Sequence, residues 1–111
     1  EAERLRLARE QAAADQRRAT IREEYVSTIA ELVRRNWIRP PTTSPGVRCS
    51  VRVVQIPGGT IVDQAIASPC NADDATRRSI VAAVERTGEF PYRGYEDVFE
   101  REIEFVFRYD G

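Results

Sequence analysis

Few side chains in this sequence could do covalent chemistry. Cys49 and Cys70 are its two thiols, and their spacing fits no CxxC redox or metal motif. The sequence holds no histidine, so no imidazole base, proton shuttle or metal ligand is on offer. Two thiols without histidine make a poor zinc site. The pair is either one disulfide or two buried free thiols. A disulfide would close a loop of about twenty residues, stabilise the fold by roughly 3 kcal/mol and imply an oxidising compartment. Adjacent carboxylates at Asp73 and Asp74 open a candidate helix, where they read as caps favoured by the helix dipole. Ser50 and Ser79 have no histidine to activate them, and neither sits in a nucleophile elbow. No catalytic residue, metal site or cofactor is expected, and the function to look for is binding.

The elements that must carry such a function fit one domain. The 111 residues suffice for one modest core, and 41% apolar with 32% charged residues reads as globular. No run approaches the roughly 18 apolar residues of a membrane span, and no secretory signal is present. The chain starts at Glu1 and lacks methionine, so it is expected to be a fragment, with any anchor upstream. A net charge of -1 argues against nucleic acid as partner.

Residues 1–24 begin with EAERLRLAREQAAADQRRAT, a run of good helix formers with interleaved charges and few apolar side chains. It reads as the end of a helical spacer, helical at least near residue 20. From Tyr25 the pattern sharpens: Tyr25, Ile29, Leu32, Val33, Asn36 and Trp37 recur at helical spacing. This predicts an amphipathic helix of about 14 residues, stopped by Pro40 and Pro41. Val47 to Ile56 alternates as a strand with one buried face, except that Val54 and Ile56 fall on the polar side. A twist, a bulge or cover by the arm would account for them. Pro57-Gly58-Gly59 turns the chain into a second strand over Thr60 to Ile66. Asn71-Ala72-Asp73-Asp74 offers caps for a second helix carrying Ala75, Ile80, Ala83 and Val84, closed by Gly88. One helical turn is expected within Tyr95 to Arg101. Glu102 to Tyr109 is a last strand, with Ile103, Phe105, Phe107 and Tyr109 on one face and Glu104, Val106 and Arg108 on the other. The fold class is α+β, in the order helix-strand-strand-helix-strand. It is a three-stranded antiparallel sheet covered on one face by two helices, with an N-terminal helical arm.

An ordered set of short motifs spans about residues 25–111. Arg35-Asn-Trp-Ile-Arg-Pro-Pro41 ends the first helix, and CSVRVVQIPGG (49–59) runs into the turn. Cys70-Asn-Ala-Asp73 precedes a helix with Ser79-Ile80 and Ala83-Val84. Pro91-Tyr92, Gly94-Tyr95 and Val98-Phe99-Glu100-Arg101 lead to a phenylalanine-rich strand. The set resembles the TolA C-terminal domain, a member of the TonB/TolA C-terminal superfamily. Many members have glycine at the place of Cys70 and lack the cysteine pair, and many carry Pro-Leu-Pro where this chain has Glu89-Phe90-Pro91. Of the two states of the thiols, the resemblance favours the Cys49–Cys70 disulfide. It implies a periplasmic domain of a parent anchored in the bacterial inner membrane with TolQ and TolR, reaching TolB and Pal at the outer membrane. Colicins and filamentous-phage coat protein are further partners it implies, in a system that maintains the envelope at cell division.

A free sheet edge invites an extended peptide as an added strand. The terminal strand, Glu102, Ile103, Glu104, Phe105, Val106, Phe107 and Arg108, is expected to be the docking edge. Thr60 to Ile66 is the other candidate if the first strand is central. Tyr25, Trp37 and Tyr92 could line a groove, although such aromatics are more often core. A monomer is expected. The alternatives are a TonB-type domain that takes TonB-box peptides, and a spacer whose edges pair in a dimer.

Overall fold

The computed structural model describes residues 1–111. Helix α1 runs unbroken over Ala2–Arg35, strand β1 over Val47–Gln55 and strand β2 over Ile61–Cys70. Helix α2 spans Asp74–Thr87, a 3-10 turn spans Glu96–Val98, and strand β3 spans Glu102–Tyr109. The strands are antiparallel in the order β2-β1-β3, so β1 is central and both neighbours are lateral. This is the expected two-helix, three-strand class in the expected order.

The first helix is longer than the amphipathic pattern predicts. Tyr25, Ile29 and Val33 are its buried residues. No Gly or Pro interrupts residues 1–39, so the docked segment serves as a nucleus from which the helix extends at little cost. At 1.5 Å per residue the helix is about 51 Å long, and it accounts for the molecule's 63 Å longest axis. Residues 1–20 are exposed apart from half-buried Ala14. Ion pairs Arg6–Glu3 and Arg18–Asp15 run along this part. At the other end, Asn36 closes the helix by donating through Nδ2 to the Leu32 carbonyl and to Thr87 Oγ1 of α2.

The core lies between the two helices and one face of the sheet. Val47, Cys49, Val51 and Val53 of β1 and Ile103, Phe105 and Phe107 of β3 point into it. They meet Tyr25, Ile29 and Val33 of α1 and Ile80, Ala83 and Val84 of α2. Helix α1 packs over β3, and α2 packs over β2. The opposite face of the sheet carries Arg52, Glu102, Glu104 and Arg108 in the open, with Arg52 paired to Glu102 at 3.0 Å.

A register irregularity falls between Val54 and Gln55 of β1, where Val54 opposes Asp63 but Gln55 opposes Ile61. The extra residue is Val62, so the bulge lies in β2, while β1 keeps its alternation through buried Gln55 and simply carries Val54 outward. Val54 stays half-buried on the outer face, and Ile56 lies beyond the strand, exposed. The turn that follows needs Gly59: its φ is +86°, and a Cβ there would run into the Phe90 carbonyl oxygen. That approach is used, because Phe90 N–H donates to the Gly59 carbonyl at 2.8 Å.

Strand β2 extends past Ile66 to Cys70. The reason is the Cys49–Cys70 disulfide, whose members sit opposite each other in the β1–β2 register. Helix α2 begins as its capping residues predict. The Asp73 carboxylate accepts from Thr76 N–H at 2.7 Å, and Gly88 ends the helix at φ 69° with its N–H on the Val84 carbonyl. The Thr76 hydroxyl lies 2.6 Å from that of Thr43 inside the protein, which ties the loop after α1 to this helix.

Candidate functional site

Backbone geometry makes β3 an open edge. Gln55 N–H donates to the Arg101 carbonyl at 2.8 Å, and Val53, Val51 and Cys49 then oppose Ile103, Phe105 and Phe107 at two-residue steps. In an antiparallel pair, hydrogen-bonded and non-hydrogen-bonded residues alternate. The groups of Ile103, Phe105 and Phe107 are therefore spent on β1. Those of Glu102, Glu104, Val106 and Arg108 point away from it, and no further strand covers them.

Helix α1 runs alongside this edge in the same direction. Arg22 meets Glu100 just ahead of β3, with Nε 2.7 Å from Oε1, and Trp37 packs edge-on against Phe107 and Tyr109 at its end. Between these two contacts lies a cavity of about 410 Å³. Val26, Ser27, Ala30, Glu31 and Arg34 of α1 form one wall, and Phe105, Val106, Phe107 and Arg108 of β3 form the other. Val26 and Ala30 are half-buried, and Val106 is 41% exposed, an apolar side chain left on an open edge. The arrangement offers an extended chain backbone partners on one side and an apolar helix wall on the other.

Fixed interactions hold the mouth of this groove. The Arg22 hydrogen bond and charge keep the Glu100 carboxyl below the usual carboxylate range. Deeper in, Tyr25 donates to Gln55 Oε1 at 3.0 Å, and Gln55 Nε2 donates to the Glu100 carbonyl at 2.9 Å. Burial pushes the Tyr25 phenol up, and the Gln55 hydrogen bond opposes that shift.

The other lateral strand is blunted at both ends. Ile61 N–H is bonded to the Gly88 carbonyl, and Thr60 bridges Glu89. The Arg77 guanidinium occupies the Cys70 carbonyl at 2.9 Å, and Pro69 has no donor to offer. The free stretch of β2 is shorter than its ten residues suggest.

The structure does not bring Tyr25, Trp37 and Tyr92 together as a groove. Tyr25 is 1% exposed and stacks on Tyr95 with ring centroids 4.8 Å apart. Trp37 is spent on Phe107, Tyr109 and Ser79, donating to the serine Oγ at 2.7 Å. Tyr92 lies beside Leu32, Phe90 and Pro91 in a separate shallow cavity. All three serve packing because each ring has found its own apolar neighbours. The groove wall is instead made by Val26, Ala30 and Arg34. They form a second stripe on α1 beside the buried one, legible as helical spacing but not as a site. Gln55 was also missed, although the β1 alternation sets it on the buried face.

Comparison with known proteins agrees with this architecture. Residues 22–107 match the family described as TonB C terminal. The Tol-Pal system protein TolA of Pseudomonas aeruginosa is 32% identical over 83 residues, which are 75% of this chain and 24% of that protein. The chain thus spans about a quarter of the length of that relative. A solution NMR structure of TolAIII bound to a peptide derived from the N-terminus of TolB superposes with a TM-score of 0.66 at 28% identity. That match covers 78% of this chain and 73% of the other. With its helix-flanked three-stranded sheet and the match across residues 22–107, the chain belongs to the TonB C-terminal family.

Proposed function

We propose that this chain is the partner-binding domain of a TolA-type envelope protein and takes an extended peptide as a fourth strand on β3. The observation that carries the reading is the outward backbone row of Glu104, Val106 and Arg108 beside the α1 groove. The partner this suggests is the N-terminal segment of TolB, since a similar domain has been solved with such a peptide. Binding rather than catalysis suits a chain without histidine. On this reading the domain acts in the periplasm, on a parent anchored in the inner membrane with TolQ and TolR. Pal, colicins and filamentous-phage coat protein are further candidates for partners. Residues 1–24 form the end of a helical spacer, supported by their exposure and interleaved charges. Residues 25–111 form the binding domain, which acts as a monomer.

Val106→Pro tests the edge. Its N–H points away from β1, so proline removes a donor from the docking row while the β1–β3 ladder keeps its bonds. Calorimetry with a TolB N-terminal peptide should show at least about tenfold weaker binding in a variant that still melts cooperatively. Unchanged affinity would place the docking edge elsewhere. A TonB-box peptide in the same titration separates the TonB-type alternative, which the TolA likeness over 75% of the chain disfavours.

A further inference from the structure

The groove beside β3 is charged unevenly along its length. At the end nearest the close of the strand, Arg34 projects from the helix wall and Arg108 from the strand, both lining the same cavity and both exposed. Neither has a carboxylate within 4 Å, whereas nearby charges are already matched. Glu31 is held by Arg35 at 3.7 Å, and Arg48, which opposes Arg108 on β1, is held by Asp110 at 2.8 Å. Arg39 adds a third guanidinium at this end, 5.6 Å over the Tyr109 ring. Toward the start of β3 the free charge changes sign, with Glu104 on the edge and Glu23 one helical turn before Ser27 on α1.

Resting on the strand-docking reading, we infer that the groove selects an extended segment with two successive acidic residues at the Arg34/Arg108 end and small or apolar residues facing Val26 and Ala30. Successive residues of a docked strand point to opposite faces. One meets Arg34 on the helix side, and the next meets Arg108 on the open side. Guanidinium groups are suited to this role, because their planar fork matches a carboxylate and stays charged. Opposite charges paired across strands favour binding, and like charges oppose it. Carboxylates placed at the Glu104 end would be repelled, so the same pair of Arg residues also sets which way round the segment lies.

The test is selection of a displayed library of randomised ten-residue segments against the 111-residue chain, and in parallel against Arg34→Glu/Arg108→Glu. Both positions are exposed, and thermal melts establish that each variant is folded. Single Arg34→Ala and Arg108→Ala variants repeat the measurement without charge reversal. The expected result is an acidic pair enriched against the native chain and basic residues at the same positions against the reversed chain. Segments selected on the native chain should bind the reversed one about tenfold less tightly, with a gap that narrows at high salt. Enriched segments that alternate apolar residues but carry no acidic preference, or keep it on the reversed chain, would overturn this inference and leave strand docking standing. No enrichment at all, or enriched segments indifferent to Val106→Pro, would overturn both.

Discussion

The Tyr25 hydroxyl donates to Gln55 Oε1 at 3.0 Å inside the core, and the same amide donates onward to the Glu100 carbonyl. Three elements meet at this point: α1, the end of β1 and the segment leading into β3. The groove wall and its edge strand are thus fixed relative to each other by a satisfied buried polar chain. Tyr25→Phe leaves the Gln55 oxygen without its donor and should cost about 1–3 kcal/mol. Tyr25→Phe/Gln55→Leu should cost less than the sum of the two single changes, because it removes both partners together. Urea unfolding of the four proteins measures this, and strict additivity would show that the two side chains are uncoupled.

The Cys49–Cys70 bridge, with a sequence separation of 21, pins the end of β2 to the central strand. Reduction, or Cys49→Ala/Cys70→Ala, should lower stability by about 3 kcal/mol through the freed unfolded chain. Melting curves with and without reductant read the effect, and coincident curves would mean that the bridge contributes nothing.

Gly58 and Gly59 share the β1–β2 turn but differ in what surrounds them. Both have positive φ, at +103° and +86°, yet a Cβ at Gly58 meets open space while one at Gly59 meets the Phe90 carbonyl. Gly58→Ala should carry only the backbone penalty, about 1 kcal/mol. Gly59→Ala should cost clearly more and loosen the Thr60–Glu89 bridge. Equal denaturation midpoints for the two variants would show that the Phe90 contact gives way freely.

Acid should weaken the fold through Asp73 and Glu100. The Thr76 and Thr42 hydrogen bonds hold Asp73 below the usual range, and Arg22 does so for Glu100. Both groups bind protons more readily in the unfolded chain. Their stabilisation is full only above the ordinary carboxylate range, from about pH 5 upward, and drains as pH falls through the lowered folded values. Denaturation midpoints between pH 7 and pH 2 should fall less steeply in Asp73→Asn, which keeps a cap, and in Glu100→Gln. Parallel profiles would assign the acid sensitivity to other groups.

Much of the fold was legible in the residues because local physics decides it. Asp73 and Gly88 bracket α2 by capping, and Ile103, Phe105 and Phe107 alternate because one face of β3 is buried. The Pro57-Gly58-Gly59 turn follows from the freedom of glycine. The end of β2 was less legible, since it depends on which residue Cys70 opposes across the sheet. Val26, Ala30 and Arg34 were invisible as a groove for a related reason: a half-buried helix position takes its meaning from the strand that comes to lie beside it.

By itself, the sequence determined the order of helices and strands, the buried faces of the two helices and of β1 and β3, and the lack of imidazole chemistry, because periodicity, capping and composition act within a few residues. Only the tertiary structure decided that β1 is central, that β3 keeps an open backbone row beside α1, and that Arg34 and Arg108 flank one end of it. Strand order joins residues as distant as Val47 and Tyr109, and helix placement joins residues more distant still, as the Arg22–Glu100 pair at a separation of 78 illustrates. Those choices follow from how the faces bury one another and not from any local pattern.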